Sequence, residues 1–258
     1  MVLRIGCVPY INAYPLWRGL SQVPLFAPPA ALYQLMDAGG CDVALLPSLA
    51  LLKRPQWRAI STVGIASCGP VQSVVLFHRR PLPACRRIGL DPESLTSNAL
   101  LQILLKEKYK LNLDNLDIIN QSIALDLMQP LDTAALDAFL FIGDKALTAE
   151  LPGWHRLDLA QAWYEWTGLP FVFARWITTA EVARATPALA GDLDAACHRS
   201  LACLPSWLGA FAHDHGMTAG ALTHYFTKAL TFDLTDTHEK GLALFLSLAS
   251  GLLKSKIR

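Results

Sequence analysis

Between residues 3 and 77 the sequence switches repeatedly between a short apolar run and a helical pattern. The runs at 3–8, 42–46 and 74–77 read as strands, and the segments at 30–37 and 48–52 read as helices. Strands that alternate with helices specify a parallel sheet covered on both faces, because each crossover carries the chain back over the sheet before the next strand. The stiff, charged stretch Arg79-Arg80-Pro81-Leu82-Pro83 then breaks the pattern and reads as a crossing into a new unit. A second series follows it, with strand 87–90, helix 97–108, strand 117–119, helix 123–128, strand 137–142 and a short helix after Asp144. The dense aromatic and β-branched run at 168–177 reads as a buried strand that returns the chain to the first unit. Beyond it only helices are expected, at 181–184, 189–204, 207–215, 218–230 and 237–253. In the last of these Leu242, Phe245, Leu246, Ala249, Leu252 and Leu253 share one apolar face.

These patterns predict an α/β chain of two lobes, with residues 1–84 and 175–258 in one and 85–174 in the other. The helical C-terminal region packs on the first lobe. A cleft between lobes is a favoured place for a small ligand, and hinge closure is its expected mechanics. Periodicity leaves a single continuous sheet open as the alternative.

Composition narrows the partners. The 258 residues are 53% hydrophobic and only 17% charged, the balance of a chain that buries a core. Lys and Arg number 22 against 21 Asp and Glu, and no basic run is interleaved with aromatics, so nucleic acid is not an expected partner. The most apolar run, at 241–253, is too short for the roughly 20 residues that span a bilayer as a helix, so no membrane is expected either. The N-terminal segment has no export-signal pattern, and the expected location is the cytoplasm. Cysteines 7, 41, 68, 85, 197 and 203 form no CxxC pair and read as reduced thiols, with Cys197 and Cys203 in core packing. The composition leaves the oligomeric state open.

Chemistry-bearing residues gather at strand-to-helix junctions. The first strand runs into a Pro-broken turn that carries Tyr10 and Asn12, where open α/β sheets bind ligands. Small polar clusters recur at Pro47-Ser48, over residues 65–74 with Ser67, Gly69 and Ser73, over residues 91–97 with Thr96 and Ser97, and over residues 142–144 with Gly143 and Asp144. Each could offer hydroxyls and free N–H groups to an anion, and each could equally be an ordinary helix cap. The chain contains no GxGxxG, GxxxxGK[ST] or HExxH. His213-Asp-His215 lacks a third ligand, and no metal site is expected.

Several segments together carry a resemblance. Tyr10-x-Asn12-x-x-Pro15-Leu16, Cys41-Asp-Val-Ala-Leu-Leu-Pro-Ser48, Ser67-x-Gly-Pro-Val-x-Ser73-Val, Thr96-Ser97, Leu140-x-Ile-Gly-Asp144 and Trp166-Thr-Gly-Leu-Pro-Phe-Val-Phe-Ala-x-Trp176 occur in this order. The chain thereby resembles, over residues 3–177, the chorismate dehydratases of the futalosine route to menaquinone. The sister enzyme, dihydroxynaphthoate synthase, typically opens with a Ser-Pro-Cys-Pro-Asn-Asp type of turn, whereas here the turn is Val8-Pro-Tyr-Ile-Asn12. The resemblance implies a fold like the type II periplasmic binding proteins and loss of water from chorismate, a small dicarboxylate, to give 3-[(1-carboxyvinyl)oxy]benzoate. It implies no metal or organic cofactor. It places Asn12 and Ser73 at the reacting centre, with Tyr10, Ser48, Ser67, Gly69, Thr96, Ser97, Gly143 and Asp144 holding the substrate. An amide cannot act as a base, so the proton acceptor is either Asp144 or the substrate's own side-chain carboxylate. A non-catalytic binding protein for a small carboxylate is the competing reading.

Overall fold

The computed structural model describes residues 3–120 and 136–255, and the helix expected at 123–128 lies outside them. Strands β1 (Ile5–Cys7), β2 (Leu25–Phe26), β3 (Val43–Pro47) and β4 (Trp57–Ser67) begin the first sheet. Strands β5 (Val74–His78), β6 (Arg87–Leu90), β7 (Asp117–Asn120), β8 (Ala138–Ile142) and β9 (His155–Asp158) make the second. The chain then returns with β10 (Phe171–Thr179) and β11 (Thr231–Asp233), so the first sheet is ordered β2-β1-β3-β10-β4-β11 and the second β7-β6-β8-β5-β9.

The two sheets repeat one plan. β1 is parallel to β2 and β3, as β6 is to β7 and β8. β10 is antiparallel to β3 and β4, as β5 is to β8 and β9. In each sheet the antiparallel strand is the first one laid down after the chain arrives from the other sheet. Such a strand enters from the edge facing the cleft and therefore runs against its neighbours.

This topology moves the crossings. β5 belongs to the second sheet, so the chain leaves the first at residues 68–73, and the Pro-rich stretch at 79–83 only links β5 to β6 through a 3-10 turn at Leu82–Ala84. The return runs through 168–170, ahead of β10. By sheet membership the chain changes sheets at those two segments. The crossing expected at 79–83 moves because β4 lacks a clean apolar alternation and so left no expected strand between 53 and 74.

The helices are α1 (Tyr14–Arg18), α2 (Pro29–Asp37), α3 (Ala50–Lys53), α4 (Leu95–Ile103), α5 (Gly143–Thr148) and α6 (Leu159–Thr167). The C-terminal region adds α7 (Ala180–Ala185), α8 (Leu189–Ala202), α9 (Leu204–Asp214), α10 (Ala219–His224) and α11 (Asp236–Ser255). Two of them end in π-helical turns, α4 at Leu104–Lys108 and α10 at Tyr225–Ala229. The Ser94 hydroxyl caps α4 by accepting from Ser97 N at 3.2 Å. Asp158 caps α6 by accepting from both Ala160 and Gln161 N–H groups, and Gly168 closes it in the left-handed region at φ +69°. These are the side-chain and glycine terminators that helix ends favour.

The tail bridges the two sheets. α11 touches both β10 and α4, and its buried Phe245 packs edge-on against Phe171 at 5.0 Å and Trp163 at 6.4 Å. Burying one such ring stabilises by about 1.5–3 kcal/mol. The tail thus packs on both units, not on the first alone, and β11 adds a strand to what the sequence pattern presents as helices only. Cys197 is buried as expected, whereas Cys203 is exposed where α8 gives way to α9.

Candidate active site

A cavity opens between the two sheets, with about 590 Å³ of unfilled space including its open mouth. Val8, Leu45, Ile65, Val71 and Phe173 give it apolar walls. Its polar atoms come from four separate places. The turn after β1 brings Tyr10 and Asn12, the residue before β5 is Ser73, the head of α4 brings Ser94, Thr96 and Ser97, and α5 begins at Gly143. Of the residues singled out in the sequence, Tyr10, Asn12, Ser73, Thr96, Ser97 and Gly143 therefore share one cavity. Ser94, from the same 91–97 cluster, lines the cavity as well, and its position before an apolar helix is a cap signal.

The other four stand outside the wall. The Ser48 hydroxyl is fully buried and donates to the Val172 carbonyl at 2.8 Å, which ties β3 to β10. The Ser67 hydroxyl donates to the Gly69 carbonyl at 2.8 Å and shapes the first crossing, where Gly69 itself takes φ +112°. Asp144 accepts from Ile11 N at 3.1 Å. It therefore holds the turn that carries Asn12, and it makes no side-chain cap for its own helix.

Three hydrogen bonds cross between the sheets beside the cavity. The Ile11 N–H to Asp144 bond is one. Tyr10 Oη donates to Glu93 Oε2 at 2.8 Å, and Leu49 N donates to Thr96 Oγ1 at 3.2 Å. The Tyr10 ring also lies over Gly143, where an added Cβ would sit 3.6 Å from Tyr10 Cγ at a φ of +59°.

The electrostatics follow from this geometry. Burial is the main cause that pushes the Tyr10 hydroxyl up, reinforced by its bond to Glu93 and by the charges of Asp91 and Asp144. Burial likewise raises the carboxyls of Asp144 and Asp91, partly offset for Asp144 by the Ile11 N–H and His215. Among the described residues lining the cavity none is a lysine, arginine, histidine, aspartate or glutamate. The described residues include no group of three or more His, Cys, Asp or Glu placed to hold a metal ion.

A family model described as menaquinone biosynthesis matches residues 3–251. The chain belongs to that menaquinone-biosynthesis family. It is 33% identical over 198 residues to a chorismate dehydratase of Thermus thermophilus, covering 67% of this chain and 68% of the relative. Its fold is that of periplasmic binding proteins. The aliphatic sulphonate binding protein of Escherichia coli superposes with a TM-score of 0.68 at 16% identity, covering 99% of this chain and 87% of that one. A Candida albicans protein described as having the generic periplasmic binding protein fold superposes at 0.66 and 13% identity, over 97% and 90% of the two chains.

In this member of the family one further residue stands directly behind the wall. Tyr225, fully buried in the π-helical turn after α10, donates to Ser73 Oγ at 2.7 Å. Asn12 Oδ1 is buried and has no hydrogen-bond partner. Nothing local in the sequence marks Tyr225, because its role depends on a contact with a residue 152 positions away.

Proposed function

We propose that this protein is a chorismate dehydratase, a carbon–oxygen lyase that converts chorismate to 3-[(1-carboxyvinyl)oxy]benzoate and water in menaquinone biosynthesis. The observation that carries this reading is that Asn12 and Ser73, from separate parts of the chain, line one cavity between the two sheets. Family membership and the identity to the Thermus thermophilus dehydratase support it. The six free cysteines, two of them exposed, fit a reducing compartment, and the proposed place of action is the cytoplasm.

In the reaction the hydrogen on the ring carbon that bears the enolpyruvyl ether leaves as a proton, and the neighbouring hydroxyl leaves as water. The ring becomes aromatic, which drives the step. Asn12 accepts from the departing hydroxyl and Ser73 donates to it, while Ser94, Thr96, Ser97 and the N–H groups at the head of α4 receive the ring carboxylate as charge builds on it. No described wall residue is a base near neutral pH, since Tyr10 is held protonated and the other polar side chains are hydroxyls and an amide. The proton therefore passes to the substrate's own side-chain carboxylate and from it to the departing hydroxyl, which leaves as water, while the protein supplies orientation and a largely apolar enclosure. In this reading Asp144 positions the turn of Asn12 rather than taking the proton.

Incubating the purified protein with chorismate and following the product by mass spectrometry tests the reading directly. Loss of one water to give the aromatic product is expected. Chorismate that stays intact beside folded protein, yet binds, would make the chain a solute-binding protein instead.

A further inference from the structure

We infer that Asp158 is a positioning residue that holds Gln72 in a left-handed turn and so sets Ser73 in the cavity wall. The inference rests on the function proposed above. Its ground is a division of labour between the two oxygens of one carboxylate. Asp158 Oδ1 accepts from the Ala160 and Gln161 N–H groups and caps α6, whereas Oδ2 accepts from Gln72 N at 2.6 Å. A cap alone needs no second oxygen, since Ser94 caps α4 with one hydroxyl.

Gln72 stands at φ +67°, a region that strains any residue with a Cβ and that recurs at functional sites. It is the joint of the first crossing. Upstream, β4 ends at Ser67 in the first sheet, and downstream the Ser73 carbonyl accepts from Gly143 N at 2.8 Å, which ties Ser73 to the second. Val71 and Ser73, on either side of the joint, both line the cavity. A return of Gln72 to negative φ would rotate one against the other, so the strained torsion is what keeps the two in one wall.

Asp158 is placed to oppose that return. It pairs with Val75 across β9 and β5, which brings its carboxylate beside the chain just ahead of Ser73. Gln161, in the first turn of α6, backs the same crossing: a Cβ added at Gly69 would lie 3.4 Å from Gln161 Oε1. The head of α6 thus braces the crossing at two points, and the second oxygen of its cap is the one that fixes the torsion.

Asp158→Asn separates the two tasks. An amide has one carbonyl oxygen, the two N–H groups of α6 take it, and an NH2 group then faces Gln72 N. The variant is expected to lose about 10- to 100-fold in kcat on chorismate with KM changed less than about threefold, the scale of effect that a small misplacement of reacting groups produces. Asp158→Ser, which caps with one hydroxyl, should lose as much. In a Ser73→Ala background Asp158→Asn should change kcat less than about threefold, because residues that act through one another are not additive. Adding Gln72→Gly, which holds a positive φ without strain, should restore most of the loss in Asp158→Asn. Hydrogen exchange read by NMR should show the Gln72, Ala160 and Gln161 amides protected in the ligand-free wild type, with Asp158→Asn freeing Gln72 alone. A freely exchanging Gln72 amide in the wild type, an unchanged kcat in Asp158→Asn, the same loss on top of Ser73→Ala, or no recovery with Gln72→Gly would each overturn the inference. Wild-type protein that leaves chorismate intact would overturn the dehydratase reading instead, and the exchange measurement would still decide whether Asp158 holds Gln72.

Discussion

Replacing Asp144 by alanine and by asparagine separates its role as an anchor from any role as a base. The carboxylate accepts from Ile11 N, and Ile11 is buried. Alanine leaves that N–H without a partner, which costs about 1–3 kcal/mol. Asparagine keeps an acceptor and removes a charge that burial disfavours. The two variants should therefore differ by about 1–3 kcal/mol, and at about 2–4 °C per kcal/mol for a chain of this size their melting temperatures should separate clearly. The sign of the pH dependence follows from the direction of the shift. Asp144 is raised above its ordinary 3.8 in the folded state, chiefly by burial, so folded protein binds the proton more tightly than unfolded protein. Stability is then lost as pH rises through the window above 3.8. Asp144→Asn should match or exceed the wild type at pH 7, and the advantage should vanish as pH falls to about 4. Calorimetric melting of the three proteins across that range is the assay. An Asp144→Asn protein as unstable as Asp144→Ala, or one whose difference from wild type ignores pH, would refute the anchor argument. Turnover adds a second check, since loss of all activity in the well-folded Asp144→Asn protein would restore Asp144 as the proton acceptor.

Three further outcomes are expected. Asn12→Ala should retain the fold and lose roughly 100- to 1000-fold in kcat on chorismate, the scale set by removal of a group aimed at the reacting atoms. The kcat–pH profile should show an acid limb from the substrate carboxylate and stay level from about pH 7 to 9, because burial keeps the Tyr10 and Tyr225 hydroxyls protonated beyond that range; the same limb should persist in Asp144→Asn. Gly241→Ala would place a Cβ 2.1 Å from the Pro170 carbonyl oxygen, so α11 must shift off the return crossing. A loss of about 1–3 kcal/mol in denaturant unfolding is the expected cost of that overpacking.

What the sequence reveals of this site divides by range of interaction. The turn with Tyr10 and Asn12, the head of α4 with Thr96 and Ser97, and Gly143 at the start of α5 are local features. Prolines, caps and a residue in the left-handed region leave their marks within a few positions. Ser48 and Ser67 belong to the same class of signal, yet their hydroxyls bond to the Val172 and Gly69 carbonyls. Spacing cannot tell a hydroxyl turned to the backbone from one turned to a ligand. β4 escaped because its two halves differ in burial, the first half-exposed and the second fully buried, and so follow no single period. Tyr225 escaped because only the assembled tail brings it to Ser73.

The neutral wall has a chemical consequence for the proposed reaction. A site built only to hold a dicarboxylate would gain from lysine or arginine, since a charge-assisted pair is about twice as strong as a neutral hydrogen bond. A cation beside the substrate's side-chain carboxylate would also lower its pKa and so remove the basicity the elimination needs. Here the cavity offers that carboxylate no cationic side chain. Asp91, Glu93 and Asp144 stand near Tyr10, and burial together with nearby negative charge raises a carboxylate's pKa. Hydroxyls and the head of α4 can still orient the substrate without neutralising it. For the proposed reaction, the lack of a cationic side chain among the described wall residues means that affinity is traded for basicity, so that the ligand's own carboxylate can serve as the base.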